Sequence, residues 1–275
     1  MNIKVYGCRG SIAASHTQGS RYGGNTSCML LESGGHSLIV DAGSGLVMLE
    51  KELREANPDY PGNLPMPPNI LISHLHLDHI IGLSTFEPAW NKEPGMRVFT
   101  CSRDDRPLHE QVFGVFKPPY WPVTMPEVTA CECIPIEANK AFTIGPFTVT
   151  PFNAKHPDET LSFHITDGHS SLVHLLDSEA DHSDPASYKE LRHYCNGADL
   201  VVFDAAYSPE DYPKYKGWGH STVKDGVYLA KEWKCKRMLF AHFSQRYSDK
   251  ELDRWKQYFS GDQFILAYDG IELVI

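Results

Sequence analysis

The string Ser-His-Leu-His-Leu-Asp-His (73–79) places four metal-ligating groups, His74, His76, Asp78 and His79, within six positions. Residues two apart in an extended chain point the same way, so His74 and His76 can grasp one cation. After a turn, the adjacent Asp78 and His79 can face a second. Imidazole and carboxylate donors suit zinc, iron and similar ions, and such ions support hydrolysis by acidifying a water. Four side chains do not fill two coordination shells, so further ligands are expected downstream, each aimed from a strand end. Three positions meet that condition: His156 after TVTPFNAK, Asp177 after SLVHLL, and His242 within RMLFAHF.

The elements that must position these groups are short. NILIS (69–73) reads as a buried strand that delivers the cluster. IKVYG, CMLLE and HSLIV precede it as strands between glycine-rich turns, and LVMLEKELREAN carries Leu46, Leu49 and Leu53 at helical spacing. Pro58, Pro61, Pro65, Pro67 and Pro68 punctuate a surface loop. Downstream, FTIGPFTVTPF, LSFHIT, SLVHLL, DLVVFD and RMLFAHF read as strands. One helix has Asp184 as N-cap, Pro185 in its first turn and Gly197 beyond its end. HSTVKDGVYLAKEWK reads as another helix, and Ser248 with Glu251 forms a capping box for the last. FGVFKPPYWPVTMP (113–126) reads equally as a packed loop or as a flap over a substrate. Two β-rich halves, each followed by helices, predict one α/β domain over 1–275, with packed sheets, outer helices and a lid insertion at about 85–135.

Composition narrows the function. The chain has 275 residues, 41% hydrophobic and 22% charged, which excludes disordered, collagenous and coiled-coil classes. No apolar run reaches the roughly 18 residues of a membrane span. Met1 leads into NIKVYG without a leader pattern, so a cytoplasmic protein is expected. Lys and Arg total 25 against 35 Asp and Glu, net −10, which favours small substrates over long nucleic acid or anionic membranes. The seven cysteines form no CxxC pair, and Cys131 and Cys133 read as strand neighbours. All seven are expected reduced. His16, His36, His109, His164, His169, His174, His182 and His193 read as surface or strand residues.

The ordered set from Gly7 to His242 resembles the metallo-β-lactamase-fold hydrolases. That resemblance implies a four-layer αββα sandwich with a dinuclear site on the rim between the sheets. His74, His76 and His156 would hold the first metal, and Asp78, His79 and His242 the second, with Asp177 bridging. Asp41, in IVDAG, would orient ligands from behind. The ions would be zinc, with manganese or iron as alternatives.

A bridging Asp177 resembles the phosphodiesterase, thioesterase and lactonase branches. Asp204 at a strand end and Gly219-His220-Ser221-Thr222 at a helix start resemble the branch that holds tRNA 3′-end processing endonucleases and small phosphodiesterases. There, Asp204 would orient His220, and His220 would protonate the leaving oxygen after hydroxide held by the metals attacks phosphorus. Asp204 stands where the tRNA enzymes carry Glu. GCRGSI (7–12) and RYGGNTSC (21–28) are similar to that branch, and their backbone N–H groups can approach phosphate or metal. Arg9 and Arg21 read as solvated arginines. Only 20 residues separate His156 from Asp177, leaving no room for a tRNA-binding arm. The expected substrate is therefore a small phosphodiester, a cyclic nucleotide or related cyclic phosphate. The alternatives are a thioesterase or lactonase, then a tRNA 3′-processing endonuclease or a non-catalytic metal-binding module. The resemblance also implies a homodimer, pairing through 113–126.

Overall fold

The runs read as strands pair into two sheets in a computed structural model that describes residues 1–14, 20–57, 59–60, 67–91, 95–180 and 185–275. His16, Pro58, Pro61, Pro65, His182 and Asp184 lie outside the described residues. In chain order the strands are β1 (Asn2–Gly7), β2 (Arg9–Gly10), β3 (Cys28–Ser33), β4 (His36–Val40), β5 (Asn69–Leu71), β6 (Arg97–Thr100), β7 (Glu132–Pro135) and β8 (Phe142–Ile144). They continue with β9 (Phe147–Asn153), β10 (Leu161–Thr166), β11 (Ser171–Leu175), β12 (Leu200–Asp204), β13 (Arg237–Ala241), β14 (Phe243–Ser244), β15 (Phe264–Leu266) and β16 (Glu272–Val274). One sheet runs β16-β1-β3-β4-β5-β6-β7 and the other β15-β13-β12-β11-β10-β9-β8, while β14 and β2 form a small parallel pair. The helices are α1 (Gly45–Ala56), α2 (Leu77–Ile80), α3 (Leu108–Phe113), α4 (Met125–Val128), α5 (Pro185–Cys195), α6 (Val223–Trp233) and α7 (Asp249–Trp255).

Side-chain alternation builds the layers. On β4, Leu38 and Val40 join the core between the sheets, whereas Ile39 faces the other way, against α1 and α3. Leu71 and Phe99 point inward and Ile70 and Val98 outward in the same fashion. On the second sheet, Leu191, Leu229, Trp233, Leu252 and Trp255 bring α5, α6 and α7 onto the outer face. All of β12 is buried, as befits a parallel strand covered on both faces. The result is the αββα sandwich. All seven cysteines are free.

Residues 85–135 supply β6 and β7 to the first sheet, two four-residue strands too short for alternation to announce. Phe113, Phe116 and Met125 of the aromatic segment are buried in the outer core of that sheet. Arg9 corrects the expectation of a solvated arginine: it is fully buried and donates to the carbonyls of Gly23, Ser244 and Tyr247. Arg21 is exposed and ion-paired with Asp253.

The close fit of α6 on the second sheet gives a first prediction. A Cβ on Gly226 would lie 2.4 Å from Phe240 Cε1, 2.8 Å from Met238 Sδ and 2.9 Å from Phe203 Cδ1. Gly226→Ala is therefore expected to destabilise the protein by about 1–3 kcal/mol, despite alanine's better helix propensity. Denaturant melts would show it, and an unchanged midpoint would mean the contact yields easily.

Candidate metal centre

Strand ends converge on one rim of the sandwich. Asp41 follows β4, His74 follows β5, Asp177 follows β11 and His242 follows β13. Asp41, Asp177 and His242 adopt left-handed backbone angles (φ 58°, 49° and 65°), as does Ser11 (φ 65°). Such angles are rare for non-glycine residues and cluster where function over-determines the backbone. Here they fall at strand ends, where Ser11 and Asp177 line the cleft and Asp41 and His242 lie buried beneath it. His76 is the N-cap of α2, whose first turn presents Asp78 and His79.

The seven residues expected as ligands meet. The ligand atoms of His74, His76 and His156 all lie within 4.8 Å of one another, and so do those of Asp78, His79 and His242. Asp177 stands between the two groups. Its Oδ1 is 3.9 Å from Nε2 of both His74 and His156, while its Oδ2 is 3.0 Å from His79 Nε2 and 3.1 Å from His242 Nε2. His79 Nε2 and His242 Nε2 face each other at 3.3 Å.

Four of the five imidazoles are anchored through their other nitrogen, the arrangement that aims metal-binding histidines, whereas His242 Nδ1 faces a carboxylate without a hydrogen bond. His74 Nδ1 meets Ser73 Oγ at 3.1 Å, and His79 Nδ1 meets Asp41 Oδ2 at 2.8 Å. His76 Nε2 meets Asp158 Oδ2 at 2.5 Å, and His156 Nδ1 meets Thr160 Oγ1 at 3.0 Å. His242 Nδ1 is 3.3 Å from Asp204 Oδ2. Asp41 is itself fixed, accepting from Ser73 N at 2.9 Å and Ser27 Oγ at 3.0 Å. Gly10 allows the close packing, since a Cβ there would lie 2.5 Å from the His242 ring.

His74 Nε2 and Asp177 Oδ2 are buried without a hydrogen-bond partner among the described residues. The Asp177 oxygen is close to two imidazoles but not aligned with either as a hydrogen bond. These donors aim at shared points, and a mixed imidazole–carboxylate set of this kind fits divalent cations.

Charge sets the protonation. Burial alone would lower His79, but Asp177, Asp41 and Asp78 raise it well above the ordinary imidazole range. Burial likewise opposes protonation of His242, yet Asp177 and Asp204 push it up to about 10. Burial would raise Asp41, but His79 holds it at about 2. The carboxylates thus favour protonation of this facing pair, and an entering cation must displace the proton it holds. Metal loading at pH 7 is therefore expected to release protons, so apparent affinity should rise with pH. Calorimetry in buffers of differing ionisation enthalpy would count them, and zero release would contradict this electrostatic picture.

Asp204 and His220 lie beside the cluster. His220 Nδ1 meets Asp204 Oδ2 at 2.9 Å. Asp204, Asp177, His220 and His242 also lie close enough to form a ligand group of their own. However, Asp204 already accepts from the backbone N–H groups of Asp177, Ala206 and Ser221 at 3.0, 3.0 and 3.1 Å. That leaves it suited to orienting an imidazole. Thr222, not His220, caps α6, through a capping box with Asp225.

A cleft of about 660 Å³ opens over the cluster, lined by Ser11, Leu77, Pro157, Gly217 and Trp218 together with His76, Asp78, His156, Asp177 and His220. None of 113–126 is among these lining residues. The glycine loops use their N–H groups on carboxylates: Ser11 N donates to Asp78 at 2.6 Å, and Gly24 N and Asn25 N donate to Asp269 at 3.0 and 2.9 Å.

Sequence reasoning missed Asp158, Thr160 and Trp218. Asp158 and Thr160, two and four residues past His156, carried a signal in that spacing. Trp218 directly precedes the Gly-His-Ser-Thr string. His174, read as an ordinary strand residue, is fully buried, with Nε2 3.7 Å from Asp41 Oδ2.

Relatives share this frame. The probable metallo-hydrolase YhfI of Bacillus subtilis is 26% identical over 88% of this chain and 86% of its own. Its crystal structure superposes with a TM-score of 0.73 at 24% identity, covering 99% of both chains. A ribonuclease Z of Bradyrhizobium is 19% identical over 82% of this chain and 85% of its own. A diphosphatase of the PhnP family superposes at TM-score 0.69 and 19% identity, over 100% of this chain and 97% of that one. The family pattern described as the beta-lactamase superfamily domain matches residues 36–243. That span runs from β4 to one residue past His242 and so contains all seven clustered side chains; the chain is a metal-dependent hydrolase and belongs to the beta-lactamase superfamily.

Proposed function

We propose that the protein is a dinuclear zinc phosphodiesterase acting on a small phosphodiester, a cyclic nucleotide or related cyclic phosphate. The observation that carries this reading is the His220–Asp204 pair beside the Asp177-centred cluster, which would supply a proton to a poor leaving group. In this reading His74, His76 and His156 hold one ion, Asp78, His79 and His242 the other, and Asp177 bridges. The ions would neutralise phosphoryl oxygens and acidify a water. The chain's own part is proton delivery. Burial opposes protonation of His220, but Asp204 overrides it and raises the imidazole above its ordinary value. With Nδ1 engaged by Asp204, Nε2 carries the proton to the departing ester oxygen as its bond to phosphorus breaks.

Similarity to a ribonuclease Z supports phosphoryl chemistry. The net charge of −10, with no Lys or Arg among the described cleft-lining residues, favours a small ester over tRNA. Unpaired cysteines suit a reducing, cytoplasmic compartment. Tyr120, 80% exposed within 113–126, suits pairing of two copies there.

The test is turnover by zinc- or manganese-loaded protein of cyclic mononucleotides, cyclic dinucleotides, linear phosphodiesters, a thioester and a lactone. Preferential hydrolysis of a phosphodiester is expected. Preference for the thioester or lactone would replace this reading with the thioesterase or lactonase one, which shares the cluster but leaves His220 without a task.

A further inference from the structure

Trp218 stands 57% exposed on the wall of the cleft, and Leu77, also on the wall, is 51% exposed. A large indole held in water is ordinarily free to move, but the backbone on both sides of this one is anchored and its ring packs against a tyrosine. The buried Glu179 carboxylate accepts from Gly217 N at 3.1 and 2.9 Å and from the Tyr212 hydroxyl. Tyr215 packs edge-on against Trp218 at 5.3 Å and stacks on Tyr207 at 4.2 Å, with the Arg246 guanidinium 4.9 Å from the Tyr215 ring centre. Gly219, at φ +86°, carries the chain so close over His156 that a Cβ would lie 2.1 Å from its ring. The loop therefore presents an apolar ring beside the candidate metal ligands.

The remaining lining says what that ring faces. Leu77, Pro157 and Gly217 are apolar, Asp78 and Asp177 are anionic, and no described lining residue is Lys or Arg. A reacting phosphate would be neutralised by the cations. A second phosphate would find no Lys or Arg among the described lining: beyond the Ser11 hydroxyl and the imidazoles it would meet carboxylates and hydrocarbon. A flat, uncharged ring would meet a preorganised aromatic face, where stacking accepts any base.

We propose that Trp218 is the stacking platform for a single base of the substrate, so that the ester cleaved is that of a nucleoside carrying no second phosphate. This rests on the phosphodiesterase reading and narrows it against base-free cyclic sugars and cyclic dinucleotides.

The test compares adenosine 3′,5′-cyclic phosphate with methyl ribofuranoside 3,5-cyclic phosphate, in which a methyl group replaces the base. Metal-loaded wild-type protein is expected to favour the adenosine ester by about ten- to hundredfold in KM. Trp218→Ala should erase that ratio, and Trp218→Phe should restore most of it. No preference in the wild type, or a preference that survives in Trp218→Ala, overturns the proposal. If the wild type hydrolyses neither ester, the phosphodiesterase reading fails and binding decides the platform. Tighter calorimetric binding of adenosine monophosphate than of ribose 5-phosphate, lost in Trp218→Ala, sustains it; equal binding of the two rejects it.

Discussion

Asp177→Asn protein is expected to lose tight binding of at least one of two metal equivalents and about three to five orders of magnitude in turnover. The substitution keeps shape and removes charge. It also suits the backbone, because Asp177 sits at φ 49° and asparagine tolerates that region better than most residues. What changes is the one side chain whose two oxygens address both halves of the cluster: Oδ1 toward His74 and His156, Oδ2 toward His79 and His242. An amide offers one neutral oxygen, and its NH₂ would point at imidazole nitrogens. Two close cations held by the two groups would then lack an anion between them and repel each other. The expected rate loss is the several kcal/mol of transition-state charge stabilisation that ions supply, at about 1.4 kcal/mol per decade. Elemental analysis of dialysed protein and turnover of the best phosphodiester substrate would measure both effects. Two retained equivalents with turnover within tenfold of wild type would show that Asp177 does not bridge.

The seven clustered side chains were legible in the sequence because strand ends are. A buried strand such as SLVHLL or RMLFAHF announces itself by predominantly apolar character, and a polar residue at its end lands on the rim of the sheet. That logic located Asp177 and His242 and, with period-two spacing, His74 and His76. It failed where position depends on partners distant in sequence. Arg9 looked like a surface arginine in a glycine loop, yet β2 pairs with β14 from the far end of the chain and buries it. His174 looked like any alternating strand residue, and only the stacking of the two sheets places it behind Asp41. β6 and β7 were hidden in the proline- and aromatic-rich stretch because four residues do not establish a period. Trp218 was invisible as a wall of the cleft because its loop is anchored by Glu179, 39 positions earlier in the chain. Nothing local marks that buried carboxylate as a loop anchor. Left-handed backbone angles at Asp41, Asp177 and His242 were likewise unreadable, since each is an ordinary residue forced there by the strand it terminates and the groups it must face.

The second large effect depends on the leaving group. His220→Ala is expected to slow hydrolysis of an alkyl phosphodiester by about 10²–10⁴-fold while changing hydrolysis of a nitrophenyl phosphodiester far less. An alkoxide departs badly without a proton, and removing the imidazole removes the donor. Nitrophenolate departs as a stable anion and has no need of one. The substitution is a cleaner probe than altering Asp204, which accepts three backbone N–H groups and holds the ends of β11 and β12 in place. His220 has fewer structural duties, since α6 is capped by Thr222 and Asp225. Metal content should stay at two equivalents, which separates loss of an acid from loss of a ligand. The pH profile adds a sign. Asp204 raises the His220 pKa, so the alkyl ester's rate should fall as pH climbs through that raised value in the wild type. In His220→Ala that alkaline limb should vanish. Equal losses on both esters, or one missing metal equivalent, would recast His220 as a member of the metal cluster, the role its distance from Asp177 and His242 also permits.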